Sequence, residues 1–336
     1  MVDTAEDRYP DENEIVIKNA AVAINPIDWK IQDEPWQNFN YPLILGVDVA
    51  GIVVDVGSNV KRFKKGDRVL GHALSFATED ERHAGFQNYT VLFSNMASKI
   101  PLSQSFESAV VLPLGVSAAS AALFQKKCLA LPKPCLNPPS TSTTVLIWGG
   151  TSSVGSNAIQ LAVAAGCDVI VTASRKNFEA MKQLGAAGVV DYNGGRVISE
   201  LKEAFTGRTL AGAFDAIGTK DTLKQTVEAV SQIYGCKTVA TTMDEFAIAE
   251  IKDWKRPEGV DVKPIQAIDI RGNNNEERES EESVGKMVYV DFLPDALESG
   301  KYQIAPPPFN AGQGLDSIQH ALGKRVPGKK VVVSIL

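Results

Sequence analysis

Two patterns of hydrophobic and polar residues follow one another along the chain. Between residues 14 and 92, short runs rich in Val and Ile, such as 15–17 and 51–54, are separated by Gly, Pro and Asn. Between residues 145 and 268, apolar runs alternate with segments of helical periodicity. Short, closely spaced runs predict a mostly β region, whereas the alternation is typical of βαβ units with a parallel sheet. The sequence therefore predicts two regions of different architecture.

Four other segments predict loops, a buried helix and a final strand. Residues 131–144, rich in Pro, Ser and Thr, predict a surface loop, and residues 271–282, polar and without apolar periodicity, predict an exposed loop. The apolar segment 108–124 is shorter than the roughly 20 residues of a membrane span, so we expect a buried helix. Residues 330–335 form an apolar run with no later segment to pair with, which predicts a strand returning to the first region.

Composition narrows the choice of partners. The chain has 336 residues, of which 44% are hydrophobic and 22% charged, a net charge of −6 and a pI near 5.3. This length suggests about two domains. Excess carboxylate disfavours binding to nucleic acid or to an anionic membrane. The acidic N-terminal segment does not resemble a secretory signal, and four scattered cysteines fit a reducing compartment. We expect a cytoplasmic protein that acts on a small molecule.

The most informative segment, residues 145–162, predicts a strand, a turn of small residues and a helix. Backbone N–H groups at the start of such a helix can face a pyrophosphate. The outer glycines of the dinucleotide fingerprint are matched, whereas Ser152 replaces the middle one. A P-loop has the same glycine spacing, but Ser156 and Asn157 replace its Lys-Ser/Thr pair. A tight turn without a ligand is the remaining alternative. The predicted cofactor-binding residues of the turn are Gly150, Thr151, Ser152, Ser153, Val154 and Gly155.

The end of the next predicted strand indicates which nucleotide is bound. A NAD-binding chain places Asp or Glu about 20 residues past the glycines, and that charge would repel a 2′-phosphate. Here the strand runs into Ser174, Arg175, Lys176 and Asn177, which offer a hydroxyl, two cations and an amide. We therefore predict NADPH as the cofactor. A solvated turn is the alternative interpretation of Arg175 and Lys176.

Several motifs, in the same order, resemble one enzyme family. They are residues 23–30 (AINPIDWK), 45–57 (LGVDVAGIVVDVG), 65–69 (KGDRV) and 172–178 (TASRKNF), together with the cofactor turn. These motifs are similar to those of zinc-independent medium-chain dehydrogenase/reductases, especially the quinone oxidoreductase-like and fungal trans-enoyl reductase branch. The resemblance runs from about residue 14 to residue 336.

The resemblance implies an α/β fold in which a Rossmann doubly wound parallel sheet is inserted into a GroES-like, mostly-β catalytic domain. We place the catalytic domain at residues 1–116 plus 278–336. The NADPH-binding Rossmann domain then covers residues 117–277.

The resemblance also bears on metal binding. Zinc-dependent relatives carry Cys at the position of Asp28 and a His-Glu pair at the positions of Val47 and Asp48, and Val has no donor atom for zinc. Four closely spaced cysteines, which form a structural zinc lobe in those relatives, are absent from the sequence. We predict no metal.

Without a metal, we expect hydride transfer to an activated acceptor. Reduction of a simple ketone develops alkoxide charge that a metal or a strong donor must stabilise, whereas an enone or enoyl thioester spreads the charge into an enolate. The predicted activity is NADPH-dependent reduction of an α,β-unsaturated carbonyl compound or a quinone, with the hydride supplied by the cofactor.

Three residues are candidates for catalysis by similarity. Lys30 matches an active-site cation of related enoyl reductases, which could donate a proton, although a surface lysine is the alternative. Asn25 could bind a substrate carbonyl or act only as a turn residue before Pro26. Ser117 aligns with a Ser or Thr beside the nicotinamide, or it is a small helix-packing residue.

Further cofactor contacts are implied by the same resemblance. Tyr192 resembles a tyrosine at the phosphate or adenosine end of the cofactor, and Ile217 and Gly218 end a strand that crosses beneath it. Phe309 and Gly314 lie on a return segment that usually covers the nicotinamide, with a plain loop as the alternative.

Two other functions stay open at this point. One is a non-catalytic NADPH-binding or redox-sensing protein of the same fold. The other is a trans-acting enoyl reductase that takes its substrate from a polyketide synthase carrier domain. The sequence does not distinguish a monomer from a homodimer.

Overall fold

The computed structural model describes residues 8–34, 41–252, 254–280 and 282–336. Packing divides the chain into two units, the first made of Met1–Leu114 and Tyr289–Leu336 and the second of Gly115–Val288. In sequence, the second unit is therefore inserted between two parts of the first. The domain boundaries at residues 116 and 277 stay predictions.

Strands and helices alternate along most of the described chain. The strands are β1 (Glu14–Ala23), β2 (Asp48–Val56), β3 (Arg68–His72), β4 (Tyr89–Phe93), β5 (Ala97–Lys99), β6 (Thr144–Trp148), β7 (Asp168–Ala173), β8 (Gly188–Asp191), β9 (Leu210–Asp215), β10 (Thr238–Thr241), β11 (Asp261–Pro264), β12 (Pro308–Gln313) and β13 (Lys330–Ser334).

The α-helices differ widely in length. They are α1 (Pro26–Asp33), α2 (Ser75–Thr78), α3 (Phe106–Ala109), α4 (Pro113–Phe124), α5 (Ser153–Ala164), α6 (Phe178–Gln183), α7 (Val197–Ala204), α8 (Lys220–Gln232), α9 (Glu245–Ala249), α10 (Asn275–Glu279), α11 (Leu293–Glu298) and α12 (Ser317–Leu322). Short 3₁₀ helices cover Glu81–His83, Ser94–Met96, Arg175–Asn177 and Ala267–Arg271, and a π-helix covers Lys286–Phe292.

The first unit is built on a sheet in the order β12-β13-β1-β2-β3-β5, with β4 also paired to β1. Strand β1 pairs with β2 on one side, and with β4 and then β13 on the other. Apart from Lys18, every residue of β1 is buried. Because a strand covered on both faces has almost no solvent side, β1 does not alternate but consists of two apolar runs, 15–17 and 20–23, separated by Lys18 and Asn19.

The second unit contains a parallel sheet in the order β11-β10-β9-β6-β7-β8. The chain runs outward from β6 to β8 and then continues at β9, on the other side of β6. At such a reversal the loops after neighbouring strands diverge, and the crevice at the carboxyl ends of these strands is where ligands bind in open α/β sheets. The turn after β6 lies at this reversal.

Most of the predicted architecture is confirmed. The fold is α/β, with a parallel sheet inserted in sequence into a mostly-β unit, and β13 returns to pair with β1. Residues 131–143 contain neither helix nor strand, as predicted for a loop.

One segment was predicted wrongly. Residues 271–282 were expected to be an exposed loop, but they contain α10, which begins after Asn274. The side chain of Asn274 accepts a hydrogen bond from the backbone N–H of Glu277 at 2.9 Å, which caps the helix. Apolar periodicity does not reveal a short capped helix that is mostly exposed, because such a helix has no apolar face to bury.

Within the described residues, one helical stretch, Phe106–Phe124, passes a test of length and hydropathy for crossing a membrane. Of its most apolar window, 78% is buried inside the protein. This burial agrees with the predicted core helix.

Candidate functional site

The turn after β6 is closed too tightly to admit side chains at its glycines. A Cβ atom at Gly155 would lie 2.2 Å from the carbonyl oxygen of Gly149, and one at Gly150 would lie 2.3 Å from Cγ2 of Val171. The backbone N–H groups of Gly149 and Gly150 both donate to Thr172 on β7, each at 3.0 Å. These contacts fix the turn against the neighbouring strand, with the start of α5 behind it.

Ser152, which departs from the glycine fingerprint, has a clear local role. Its hydroxyl accepts a hydrogen bond from the N–H of Gly155 and donates one to the carbonyl oxygen of Gly149, both at 2.9 Å. Ser152 is thus the N-cap of α5, a position at which Ser is strongly preferred. The helix N-terminus carries partial positive charge, so the turn is suited to an anion. Thr151, Ser153 and Val154 are half-buried around it.

The end of β9 meets this turn. The side chain of Ile217 lies against Gly149, where a Cβ would be 2.4 Å from Cγ1 of Ile217. The N–H groups of Ile217 and Gly218 both donate to Oδ1 of buried Asp215, at 3.2 Å, and Thr241 at the end of β10 donates to Oδ2 at 3.0 Å. Ile217 therefore brings two predicted cofactor segments together. Asp215, which the sequence analysis did not single out, holds the end of β9 and ties it to β10.

The predicted 2′-phosphate group of residues follows β7 as a 3₁₀ turn. Arg175 and Lys176 are exposed, whereas Ser174 and Asn177 are half-buried, and the Asn177 amide donates to the Ser174 hydroxyl at 3.0 Å. Nε of Arg175 lies 3.0 Å from Oδ2 of Asp191, at the end of β8. Tyr192, beside Asp191, is also exposed.

A buried polar network joins four segments of the first unit. Lys330, on β13, forms an ion pair with Oδ2 of Asp48 at 3.0 Å and donates to Oδ1 of Asn25. Nδ2 of Asn25 donates to Oδ2 of Asp48 at 2.8 Å. Oδ1 of Asp48 accepts the N–H of Leu114 at 2.6 Å, in the first turn of α4. Asp48 therefore ties β13, the turn before α1 and the start of α4 to β2.

Asp28 and His72 lie close to this network and share its burial. Oδ2 of Asp28 accepts the N–H of Asn25 at 2.7 Å, and Oδ1 accepts the N–H of Gly46 at 3.1 Å. Burial raises the pKa of Asp28 to about 7, and the nearby Asp48 adds to the rise, although the backbone donors and Lys330 oppose it. Burial lowers the pKa of His72 to about 4, against the attraction of Asp48. Burial disfavours the charged form of both groups.

The predicted catalytic residues have different environments. Asn25 is buried, with both ends of its amide engaged by Asp48 and Lys330. Lys30 is exposed on α1, and its Nζ lies 6.0 Å from the centre of the Trp29 ring. The third predicted catalytic residue, Ser117, is fully buried on α4 and belongs to the second unit. Their catalytic roles stay predictions.

The predicted return segment forms strand β12 rather than a loop. Phe309 is half-buried and packs against the core of the first unit. Gly314 has φ +78°, and its N–H donates to the carbonyl oxygen of Ser334 at 2.7 Å. The positive φ explains glycine at this position. A contact of either residue with nicotinamide stays a prediction.

Sequence reasoning missed Lys330, Asp191 and Asp215 as site residues. Each of the two aspartates stands at the end of a predicted strand of the parallel sheet, where ligand-binding side chains concentrate. That position was an available signal. Lys330 offered no comparable signal, because a lysine at the start of a terminal apolar run looks like an ordinary exposed strand end.

Comparison with known proteins agrees with this architecture. The model of the alcohol dehydrogenase GroES-like domain matches residues 11–132, and that of the zinc-binding dehydrogenase family matches residues 153–240. The zinc-binding alcohol dehydrogenase domain-containing protein cipB of Emericella nidulans is 44% identical over 100% of this chain and 94% of its own length. The trans-enoyl reductase himH of Aspergillus japonicus is 39% identical, over 96% of this chain and 90% of its own.

Among solved structures, the NADPH complex of Escherichia coli quinone oxidoreductase has a similar fold. It superposes with a TM-score of 0.66 at 21% identity, covering 99% of this chain and 94% of the other. The chain belongs to the medium-chain dehydrogenase/reductase family, in its enoyl reductase and quinone oxidoreductase-like part. It is an oxidoreductase of that family, as the sequence motifs predicted.

The zinc named by the second family model does not fit the residues present. Both oxygens of Asp28 accept backbone N–H groups, and those of Asp48 are engaged by Lys330, Asn25 and Leu114. Val47 offers no donor atom. Within the described residues, no three His, Cys, Asp or Glu side chains are grouped so that they could hold a metal ion.

The Lys330 ion pair makes a first prediction. Lys330→Met should lower the free energy of unfolding by about 3–5 kcal/mol, because it leaves the carboxylate of Asp48 buried without its cation. Urea unfolding measures the loss. Lys329→Met, at an exposed neighbour, is the control and should change little. A loss for Lys330→Met no larger than that of the control would contradict the stabilising role of the pair.

The raised pKa of Asp28 makes a second prediction. The unfolded chain releases this proton near pH 3.9, whereas the folded protein keeps it up to about pH 7, so folding stability is lost as the pH rises between these values. Asn cannot ionise. Relative to the wild type, Asp28→Asn should therefore become more stable as the pH increases through this window.

Urea unfolding at several pH values measures this trend, and comparison with the wild type cancels the opposite contribution of His72, which both proteins share. Asp33→Asn, at an exposed carboxylate on the same helix, should not reproduce the trend. A relative stability that does not rise with pH in this window would show that Asp28 is already ionised in the folded protein.

Proposed function

We propose that this protein is a zinc-independent, NADPH-dependent reductase that delivers hydride to the activated C=C bond of an enone or enoyl thioester, or to a quinone. The observation that carries the proposal is the closed glycine turn between β6 and α5. Gly149, Gly150 and Gly155 let the backbone pack without Cβ atoms, so a dinucleotide's paired phosphates can approach the start of α5.

The preference for NADPH is supported by charge at the end of β7. The residue after this strand is Ser174 rather than an acid, and Arg175 and Lys176 are exposed to an incoming ligand. Asp191, an acidic residue at the end of the neighbouring strand β8, is engaged by Arg175. A 2′-phosphate would therefore meet a hydroxyl and two cations.

The acceptor is inferred from the electrostatics of the first unit. Asp28, Asp48 and Lys330 already have polar partners inside the protein, which supports a reaction in which no metal stabilises an alkoxide. A conjugated acceptor spreads the developing charge over an enolate. The exposed ammonium of Lys30 would hydrogen-bond that enolate or supply its proton, and the Ser117 hydroxyl would orient the nicotinamide ring. When bound, NADPH supplies the hydride.

A second candidate is a trans-acting enoyl reductase that works on chains tethered to a polyketide synthase carrier domain. The name of the relative himH favours it, because that protein is called a trans-enoyl reductase and aligns over nearly the whole of this chain. Such a protein would act in the cytoplasm, where the free state of all four cysteines is expected to persist.

The main test combines binding and turnover. We expect calorimetry to detect NADPH binding, and a panel of enones, quinones and enoyl thioesters, free and carrier-bound, to include a substrate that consumes NADPH. Activity should survive chelator treatment, because no zinc takes part. Gly155→Val should abolish nucleotide binding, since its Cβ would collide with the Gly149 carbonyl.

Each result of this test decides between functions. Binding without turnover on the whole panel would favour the non-catalytic alternative. Failure of the folded wild type to bind either pyridine nucleotide would end the proposal.

The candidate catalytic residues give the next prediction. On an accepted substrate, Lys30→Met should lower kcat by about 10²–10⁴-fold, the usual range for loss of a positioned proton donor, with little change in NADPH affinity. Lys18→Met, at an exposed lysine of β1, is the matched control. If Lys30→Met and Ser117→Ala both leave kcat unchanged, the two residues are not catalytic.

A further inference from the structure

Asp191 connects two segments that the proposed function assigns to the adenosine end of NADPH. Strands β7 and β8 are parallel neighbours, and their register places Ala173, the last residue of β7, opposite Asp191, the last residue of β8. Residues 174–177, which follow β7, therefore lie beside Tyr192, which follows β8. The carboxylate of Asp191 lies between these two segments.

The two oxygens of this carboxylate hold different segments. Oδ1 accepts hydrogen bonds from the backbone N–H and from the side-chain amide of Asn193, both at 3.0 Å. These bonds close a turn of Asx type around Tyr192. Oδ2 accepts a hydrogen bond from Nε of Arg175 at 3.0 Å. The donors from Asn193 and then Arg175 lower the pKa of Asp191, so the group is a carboxylate at neutral pH.

This contact uses one edge of the guanidinium group. Arg175 has five N–H donors, and the bond to Asp191 uses the one at Nε. The side chain is 84% exposed. Its four terminal N–H donors, which suit bidentate binding of a phosphate, show no other partner in the part of the chain that the structure describes.

We propose that Asp191 is a positioning residue for nucleotide selection: it holds Arg175 by Nε so that the terminal N–H groups face the 2′-phosphate of NADPH. This inference rests on the proposed NADPH-dependent function and adds a residue to it. Asp191 acts through Arg175 and does not itself touch the cofactor.

The sign of the Asp191 contribution depends on Arg175. A carboxylate alone would repel a 2′-phosphate, as acidic residues do in NAD-binding chains. With the guanidinium between them, the carboxylate instead reduces the number of conformations of a long exposed side chain. Asp191 should therefore favour NADPH when Arg175 is present and disfavour it when Arg175 is absent.

Asp191→Asn separates the two roles of the carboxylate. The amide oxygen can still accept from Asn193, whereas the amide nitrogen that replaces Oδ2 cannot accept from Arg175. Calorimetric titration of the full chain with 2′,5′-ADP and with 5′-AMP then isolates the 2′-phosphate without any turnover. The variants are Asp191→Asn, Arg175→Ala and the double variant, with Glu179→Gln as an exposed control.

We expect Asp191→Asn to weaken 2′,5′-ADP binding about twofold to fivefold, the range of an exposed ion pair, and to leave 5′-AMP binding unchanged. Arg175→Ala should weaken 2′,5′-ADP binding further. In the Arg175→Ala background, Asp191→Asn should restore some affinity for 2′,5′-ADP, because it removes a repulsive charge. Asp191→Glu should recover part of the wild-type preference.

Tighter binding of 2′,5′-ADP by Asp191→Asn would overturn the proposal, because Asp191 would then compete with the phosphate for Arg175. Equal weakening of both probes would also overturn it, as the role would be structural. If the wild type prefers 2′,5′-ADP over 5′-AMP and Asp191→Asn keeps the same preference, the role of Asp191 is refuted, whereas the proposed function is not. A wild type that binds neither these probes nor a pyridine nucleotide refutes the proposed function itself.

Discussion

The ion pair between Asp48 and Lys330 is the contact on which the arrangement of the first unit depends. Both side chains are buried, so neither charge is tolerable without the other, and the remaining acceptor capacity of Asp48 is taken by Asn25 and Leu114. The pair joins the start of β2 to the start of β13, which are far apart in sequence. It also fixes the turn that opens α1, the helix that carries Lys30.

This network shows how the protein accommodates two buried carboxyl groups. The ammonium of Lys330 supplies positive charge beside Asp48, and backbone N–H groups hold Asp28. Asp48 and Asn25 hold the ammonium of Lys330 within the network. The conjugated acceptor proposed above would delocalise the developing charge itself.

In the second unit, the proposed dinucleotide would be bound by backbone groups at the turn after β6. Because they lack Cβ atoms, Gly149 and Gly150 can lie against neighbouring side chains, and Gly155 can lie against the Gly149 carbonyl. The Ser152 hydroxyl completes the helix cap. The two cations predicted to face the nucleotide, Arg175 and Lys176, are exposed after β7. Asp191 accepts a hydrogen bond from the guanidinium of Arg175. Asp215 accepts hydrogen bonds from the backbone after β9.

The sequence by itself determined the elements whose signals are local. Strand β6, its glycine turn and α5 follow from an apolar run, small residues and a helical pattern within 20 residues, and the motif order indicated the family. Helix α10 was not predicted, because a short exposed helix has no periodic apolar face. Only the tertiary structure decided that Lys330 meets Asp48 and Asn25, that Asp191 meets Arg175, and that Ile217 covers Gly149. The reason is physical: these contacts join residues distant in sequence, and their energies come from burial and charge pairing that exist only once the sheets have formed.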